Sequence, residues 1–226
     1  MPPTFSWTAV DPICMTSDAA NLDWRTQIPL IAILRGITPA EVADHVRALI
    51  AAQVTLIEVP CNSPQWQRSV EIALRTAGDG AIIGAGTVLT TAGVDALVAT
   101  GAKLIVTPNT HPALIRHAVA SGLTVAAGFF TPSEAFAALE AGAQILKMFP
   151  AESLGAGYVR ALRTVLPATV RLFAVGGVRQ DNLADFLAAG CNGAGLGGEL
   201  YKPGQDVAAT RTRAEAFIQV YRKARS

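Results

Sequence analysis

Charge is scarce in this chain, and lysine scarcer still. Only 15% of the 226 residues are charged, 18 basic against 17 acidic, for a formal net charge of +1. No basic block stands out, so the electrostatic footprint of a nucleic-acid binder is missing and no such partner is expected. Cys14, Cys61 and Cys191 are too few and too scattered for a disulfide framework or a zinc knuckle. The histidines, His45, His111 and His117, do not fall at metal-ligand spacing, so no metal site is expected. His45 and His117 lie within amphipathic helix patterns and are expected to be solvated. No run of about 18 apolar residues occurs, and no basic segment followed by an apolar core opens the chain. The expectation is a soluble, cytoplasmic protein with no membrane partner.

What is present is apolar. Hydrophobic residues make up 51% of the chain, which suits an α/β core with strands buried on both faces. Four lysines occur, and Lys103, Lys202 and Lys223 fall near element ends or in the polar tail. The fourth stands at the centre of Ile145-Leu146-Lys147-Met148-Phe149-Pro150. Burying an ammonium is costly, so a buried lysine tends to shed its proton and become a nucleophile near neutral pH. That is the state needed to attack a ketone and form a Schiff base. The competing reading is a strand-end lysine that snorkels to water.

Residues 1–27 lack a clear period and read as an N-terminal extension, with a possible short helix from Ser17 through Trp24. From residue 28 to 226 one alternation takes over. Apolar, β-branched runs are each followed by ten to sixteen residues of helical periodicity. The strands read as Pro29–Arg35, Thr55–Pro60, Ala81–Thr87, Leu104–Pro108, Thr124–Gly128, Ile145–Phe149, Arg171–Gly177 and Gly193–Gly198. Thr38-Pro39, Ser63-Pro64 and Thr131-Pro132 carry helix-start signals. Gly101, Gly122, Gly142 and Gly190 carry helix-stop signals. Eight strand–helix units with short crossovers imply a parallel sheet closed into a (β/α)₈ TIM barrel. An open doubly wound sheet is the alternative. No linker divides residues 28–226 into two domains.

In such a barrel the active site lies where the strands end. Those ends are Arg35, Glu58, Thr87, Thr107, Lys147, Val175-Gly176-Gly177 and Gly197-Gly198. A glutamate beside a lysine in a barrel mouth can shuttle protons for carbinolamine dehydration and enamine protonation, or serve only as a structural ion pair. Arg35 can clamp a carboxylate bidentately. The glycine pairs end the seventh and eighth strands, where bare backbone N–H groups can seat a phosphate, although tight turns alone would also use glycine. Together these residues describe a Schiff-base aldolase or related lyase acting on a phosphorylated keto acid, with no cofactor.

Six segments then add a resemblance. They are Ile33-Leu34-Arg35-Gly36, Ile57-Glu58-Val59-Pro60, Ile83-Gly84-Ala85-Gly86-Thr87-Val88, Val106-Thr107-Pro108-Asn109, Leu146-Lys147-Met148-Phe149-Pro150-Ala151-Glu152 and Val175-Gly176-Gly177-Val178. In order and spacing they resemble the bacterial 2-dehydro-3-deoxy-phosphogluconate and phosphogalactonate aldolases, from about residue 28 to 205. The resemblance implies cleavage of a six-carbon 2-keto-3-deoxy-6-phosphosugar acid into pyruvate and glyceraldehyde 3-phosphate. It implies Lys147 as the Schiff-base lysine and Glu58 as acid and base. Arg35 would hold the pyruvyl carboxylate, with Thr87 and Pro108 shaping the pocket and Phe149 beside the lysine. Backbone around Val175, Gly176, Gly177, Gly197 and Gly198 would seat the phosphate, and a homotrimer is implied.

Three departures bear on substrate. The gluconate branch has Glu-Val-Thr-Leu-Arg-Thr after its second strand, whereas this chain has Glu58-Val59-Pro60-Cys61-Asn62-Ser63. Asn62 thus stands where that arginine would be, and Pro60-x-Asn62-Ser63-Pro64-Gln65-Trp66 is similar to the galactonate branch. Val175 stands where the gluconate branch has threonine, again as in the galactonate branch. Gly197-Gly198-Glu199 stands where both branches place a serine, removing a hydroxyl donor and adding a nearby carboxylate. The expected activity is therefore the galactonate-branch cleavage. The alternatives are the gluconate reaction, an oxaloacetate or 4-hydroxy-2-oxoglutarate lyase on the same imine, or a sugar-phosphate-binding barrel without catalysis.

Overall fold

The structure, a computed structural model, describes residues 23–226. After a 3₁₀ turn at Trp24–Thr26 come β1 (Leu30–Ile33), α1 (Val42–Ala51), β2 (Leu56–Pro60) and α2 (Trp66–Ala77). Then follow β3 (Ile82–Gly86), α3 (Thr91–Ala99), β4 (Leu104–Val106), α4 (Pro112–Ala120), β5 (Thr124–Phe129) and α5 (Pro132–Glu140). The chain ends with β6 (Ile145–Met148), α6 (Ala151–Arg163), β7 (Arg171–Val175), α7 (Leu183–Ala188), β8 (Gly193–Leu196) and α8 (Val207–Arg225). All eight strands pair in parallel and in chain order, and β8 closes on β1. The fold is a TIM barrel, and the open sheet is excluded. The expected helix from Ser17 lies outside the described residues except for its last two positions.

Strand periodicity explains where the charged side chains point. In β6, Leu146 and Met148 belong to the layer between strands and helices, while Ile145 belongs to the barrel interior. With side chains alternating faces, Lys147 follows Ile145 inward. In β2, Ile57 and Val59 pack outward and Leu56 inward, which turns Glu58 inward too. Thus the buried runs that carry one charge each aim that charge at the barrel axis. Apolar layers of Ile31, Leu56, Ile82, Leu104, Ile145 and Phe173 fill the interior beneath them.

Local signals hold at some helix starts and fail at others. Thr131 caps α5 with a reciprocal capping box to Glu134, as its Thr-Pro signal implies. Thr38 instead donates to Glu41 Oε2 at 2.6 Å, and Glu41 rather than Thr38 precedes α1. Ser63 accepts from the Gly36 N–H at 2.9 Å and so ties the β2 loop to the β1 loop, while Gln65 occupies the cap position of α2. In both cases a loop-to-loop or side-chain partner outcompetes the helix end for the hydroxyl. The expectation of a solvated His45 is also corrected. His45 is 1% exposed, with Nδ1 2.9 Å from Thr210 Oγ1 of α8 and its ring edge-on to Tyr201. Burial lowers its pKa against the opposing pull of Glu41, Asp44 and Asp206. His117, half-exposed, pairs with Asp95 at 2.6 Å.

Candidate active site

Lys147 and Glu58 meet at the top of the interior. They are 6% and 2% exposed, and both line a cavity of about 10 Å³ above Ile145 and Phe173. No ion pair or hydrogen bond joins them. Glu58 Oε2 is buried and accepts no hydrogen bond from any described residue. Burial is the largest influence on Glu58 and raises its pKa to about 7, while Lys147 and Arg35 pull it down. Burial likewise dominates at Lys147 and lowers its pKa, with Glu58 opposing and Arg35 adding to the fall. Desolvation therefore leaves a carboxyl poised near neutrality and an amine inclined to lose its proton.

Glycine makes room for the carboxyl. Gly86 ends β3 facing the interior, and a Cβ placed on it would sit 1.7 Å from Glu58 Oε2. Any side chain there evicts the carboxyl. Gly128 of β5 pairs in register with Lys147, and a Cβ on it would strike the Pro108 carbonyl carbon at 2.2 Å. That close approach draws the β4 loop, with Pro108, over the barrel beside the lysine. Thr107, 1% exposed, locks the same loop by accepting from the Gly128 N–H and donating to the Asn109 carbonyl.

The rim completes the arrangement. Arg35 lies two residues past β1 and is exposed, and its Nη1 donates to Asn62 Oδ1 at 2.6 Å and to Thr87 Oγ1 at 3.5 Å. Three loops thus share one guanidinium, and no sequence spacing signals the Arg35–Asn62 bond. Thr87 holds a left-handed φ of 57° just past β3. The Phe149 ring lies 4.8 Å from Lys147 Nζ. Burial pushes the neighbouring Cys61 thiol up to about 12, with Glu58 adding to it, which keeps the thiol protonated and unreactive.

Val175 and Gly195 pair across β7 and β8, so the two glycine loops that follow are neighbours. Gly176 and Gly177 take φ of 92° and 72°, a left-handed path that L side chains resist. Their carbonyls are spent on the Glu152 N–H and the Asn182 amide. Their N–H groups, and those of Gly197 and Gly198, donate to no acceptor among the described residues. Arg179 joins Glu152 at 2.8 Å beneath this loop. Sequence spacing did not reveal that bracing pair. Among the described residues, no group of three or more His, Cys, Asp or Glu is arranged to hold a metal ion.

The chain as a whole is similar to known proteins. The sequence model of the KDPG and KHG aldolase family matches residues 23–211. The chain belongs to that family. The 2-dehydro-3-deoxy-6-phosphogalactonate aldolase of Escherichia coli (strain K12) is 53% identical over 203 residues, covering 90% of this chain and 99% of that protein. The probable 2-dehydro-3-deoxy-6-phosphogalactonate aldolase of Rhizobium meliloti (strain 1021) is 50% identical over 193 residues, covering 85% and 91%. Among solved structures, one described as native KDPGal aligns with a TM-score of 0.87 at 53% identity, covering 90% of this chain and 98% of that one. Family membership accounts for the barrel and for the in-order motifs.

Proposed function

We propose that this protein is a class I aldolase that cleaves 2-dehydro-3-deoxy-6-phosphogalactonate to pyruvate and D-glyceraldehyde 3-phosphate. The observation that carries the reading is the pair of buried, desolvated groups at one barrel mouth, Lys147 on β6 and Glu58 on β2. Neutral Lys147 Nζ attacks the C2 ketone, and the carbinolamine loses water to give an iminium. Glu58 carboxylate takes the C4 hydroxyl proton. The C3–C4 bond breaks, its electron pair enters the iminium as an enamine, and the aldehyde leaves. Protonated Glu58 returns the proton to C3, and water hydrolyses the resulting imine to pyruvate and free lysine. A pKa of about 7 suits a group that must both accept and return a proton at neutral pH.

Arg35, held by Asn62 and Thr87, is the proposed carboxylate clamp, with Pro108 and Phe149 as pocket walls. The unspent N–H groups of Gly176, Gly177, Gly197 and Gly198, beside Val175, are the proposed phosphate seat. Galactonate is favoured over gluconate because the galactonate relatives are 50–53% identical, whereas a gluconate relative from Treponema pallidum is 30% identical. Residues 28–226 form the proposed catalytic domain. A homotrimer in the cytoplasm is part of the proposal, and exposed Phe130 (45%) and Leu89 (54%) are apolar surface suited to such contacts. No described helix is long and apolar enough to cross a membrane.

The test is reductive trapping. Incubation with pyruvate and borohydride should add one reduced pyruvyl group to the Lys147 peptide. Absence of the adduct would refute the Schiff base and leave a sugar-phosphate-binding barrel. Rates on both C4 epimers, and on unphosphorylated keto acids, then separate the galactonate reaction from its sister lyases.

A further inference from the structure

At the opposite end of the barrel lies a second opening, of about 350 Å³, within the size range of small-molecule sites. Three of its lining residues are arginines, Arg25, Arg171 and Arg225, and no carboxylate among the described residues lines it. Arg25 pairs with Asp23 at 3.3 Å beside it.

The strand alternation places Arg171. Phe173 and Val175 of β7 point into the barrel, so Arg171, two residues earlier, carries the same inward register down to the N-terminal mouth. Its guanidinium makes no hydrogen bond or ion pair among the described residues. Asn192 faces the same opening. Its Oδ1 accepts from the Leu172 N–H at 2.9 Å and from Arg163 Nη2 at 2.7 Å. Both partners are donors, which fixes the oxygen on their side and leaves the amide NH₂ unspent. Arg225 is anchored through one nitrogen, Nη2, which donates to the Cys191 and Asn192 carbonyls. Its guanidinium carbon lies 5.9 Å from the Tyr221 ring centroid. The anchored arginine, the unpartnered arginine and the fixed amide all present donors to one space.

We propose that this pocket binds a small, multiply charged oxyanion, a molecule bearing a phosphate or adjacent carboxylates, at the end of the barrel away from Lys147. Guanidinium forks match both head groups bidentately, and among the described residues the lining holds no carboxylate that would repel them, Asp23 being paired with Arg25 at its edge. The floor residue, Phe173, pairs in register with Lys147 and also lines the small cavity beneath the lysine, so a ligand here touches a side chain that the upper site rests on. The proposal does not depend on the aldolase reading.

The experiment is calorimetric titration of the full-length chain at low salt with inorganic pyrophosphate and, separately, with citrate. Wild type is expected to bind pyrophosphate at a site that Arg171→Gln weakens at least about ten-fold and that Arg171→Lys, which keeps the charge but loses the fork, weakens by less. Citrate binding lost in the same variant would extend the ligand class to carboxylates, while loss for pyrophosphate alone would restrict it to phosphates. Arg171→Gln should keep wild-type kcat and KM for the aldol cleavage, which separates this site from the phosphate seat at the other mouth. Identical isotherms for wild type and Arg171→Gln with both probes would overturn the proposal, as would binding lost together with the cleavage activity.

Discussion

The two mouths of this barrel hold cations in opposite circumstances. At the C-terminal mouth Lys147 is buried over an apolar plug, and burial lowers its pKa. At the N-terminal mouth Arg171 has the same inward register but sits exposed at the first residue of its strand. Two residues of depth along a strand separate a cation that water keeps charged from one that the interior pushes toward neutrality. Residue type matches depth. An amine can give up its proton, while a guanidinium cannot and is placed where it need not.

Exchanging the residues tests that contrast most severely. Lys147→Ala and Lys147→Arg should each reduce cleavage by roughly 10⁴-fold or more, because neither side chain can form the imine. Retained turnover in a steady-state assay of either variant would end the Schiff-base account. Glu58→Gln should lower kcat by about 10²- to 10⁴-fold, the usual range for a lost general base, while leaving pyruvate trapping detectable. Gly86→Ala should cost about 10²-fold in kcat by displacing the carboxyl without changing any ionisable group. A wild-type rate there would mean that Glu58 has space the structure does not show.

Folded Glu58 holds its proton up to about pH 7, against 4.5 for the ordinary carboxyl. Below about 4.5 both states are protonated and nothing is lost. Between 4.5 and 7 the unfolded chain releases the proton while the folded one keeps it, so stability falls as pH rises. Glu58→Gln should therefore become more stable than wild type above pH 7, by about 3 kcal/mol. Urea unfolding at pH 4.5 and 8 reads the difference, and parallel profiles for the two proteins would contradict the raised pKa. The smallest effect belongs to the glycine loop. Gly198 has open space around its Cα, so Gly198→Ser should lower KM for the phosphorylated substrate roughly five-fold by adding one hydrogen bond of about 1 kcal/mol. An unchanged KM would move the phosphate away from that loop.

Much of the site was legible because barrel geometry turns a strand end into an address. Lys147 and Glu58 each interrupt an apolar run, and once eight strand–helix units are counted, each must point to the C-terminal mouth. The structure brings Lys147, Glu58, Arg35, Asn62, Thr87, Phe149 and Pro108 to that mouth through register and direct contact. Illegible were the partners far apart in sequence. His45 reads as a solvated helix residue until α8 covers it with Thr210, 165 positions away. Ser63 reads as a helix cap until its hydroxyl is drawn to Gly36. Arg171 reads as a polar strand start until the barrel closes and gathers Asn192 and Arg225 around it.

The alternation of strands and helices, the parity that sends Glu58 and Lys147 inward, and the glycines that admit close approach are all legible in the order of residues. These follow from local stereochemistry and hydrophobic periodicity, which act over a few residues. How dry each charge is, which loop claims each hydroxyl, and which donors remain unspent at either mouth are set by packing across the closed barrel. Desolvation and hydrogen-bond competition depend on everything packed around a group, and the chain assembles those surroundings only when β8 meets β1.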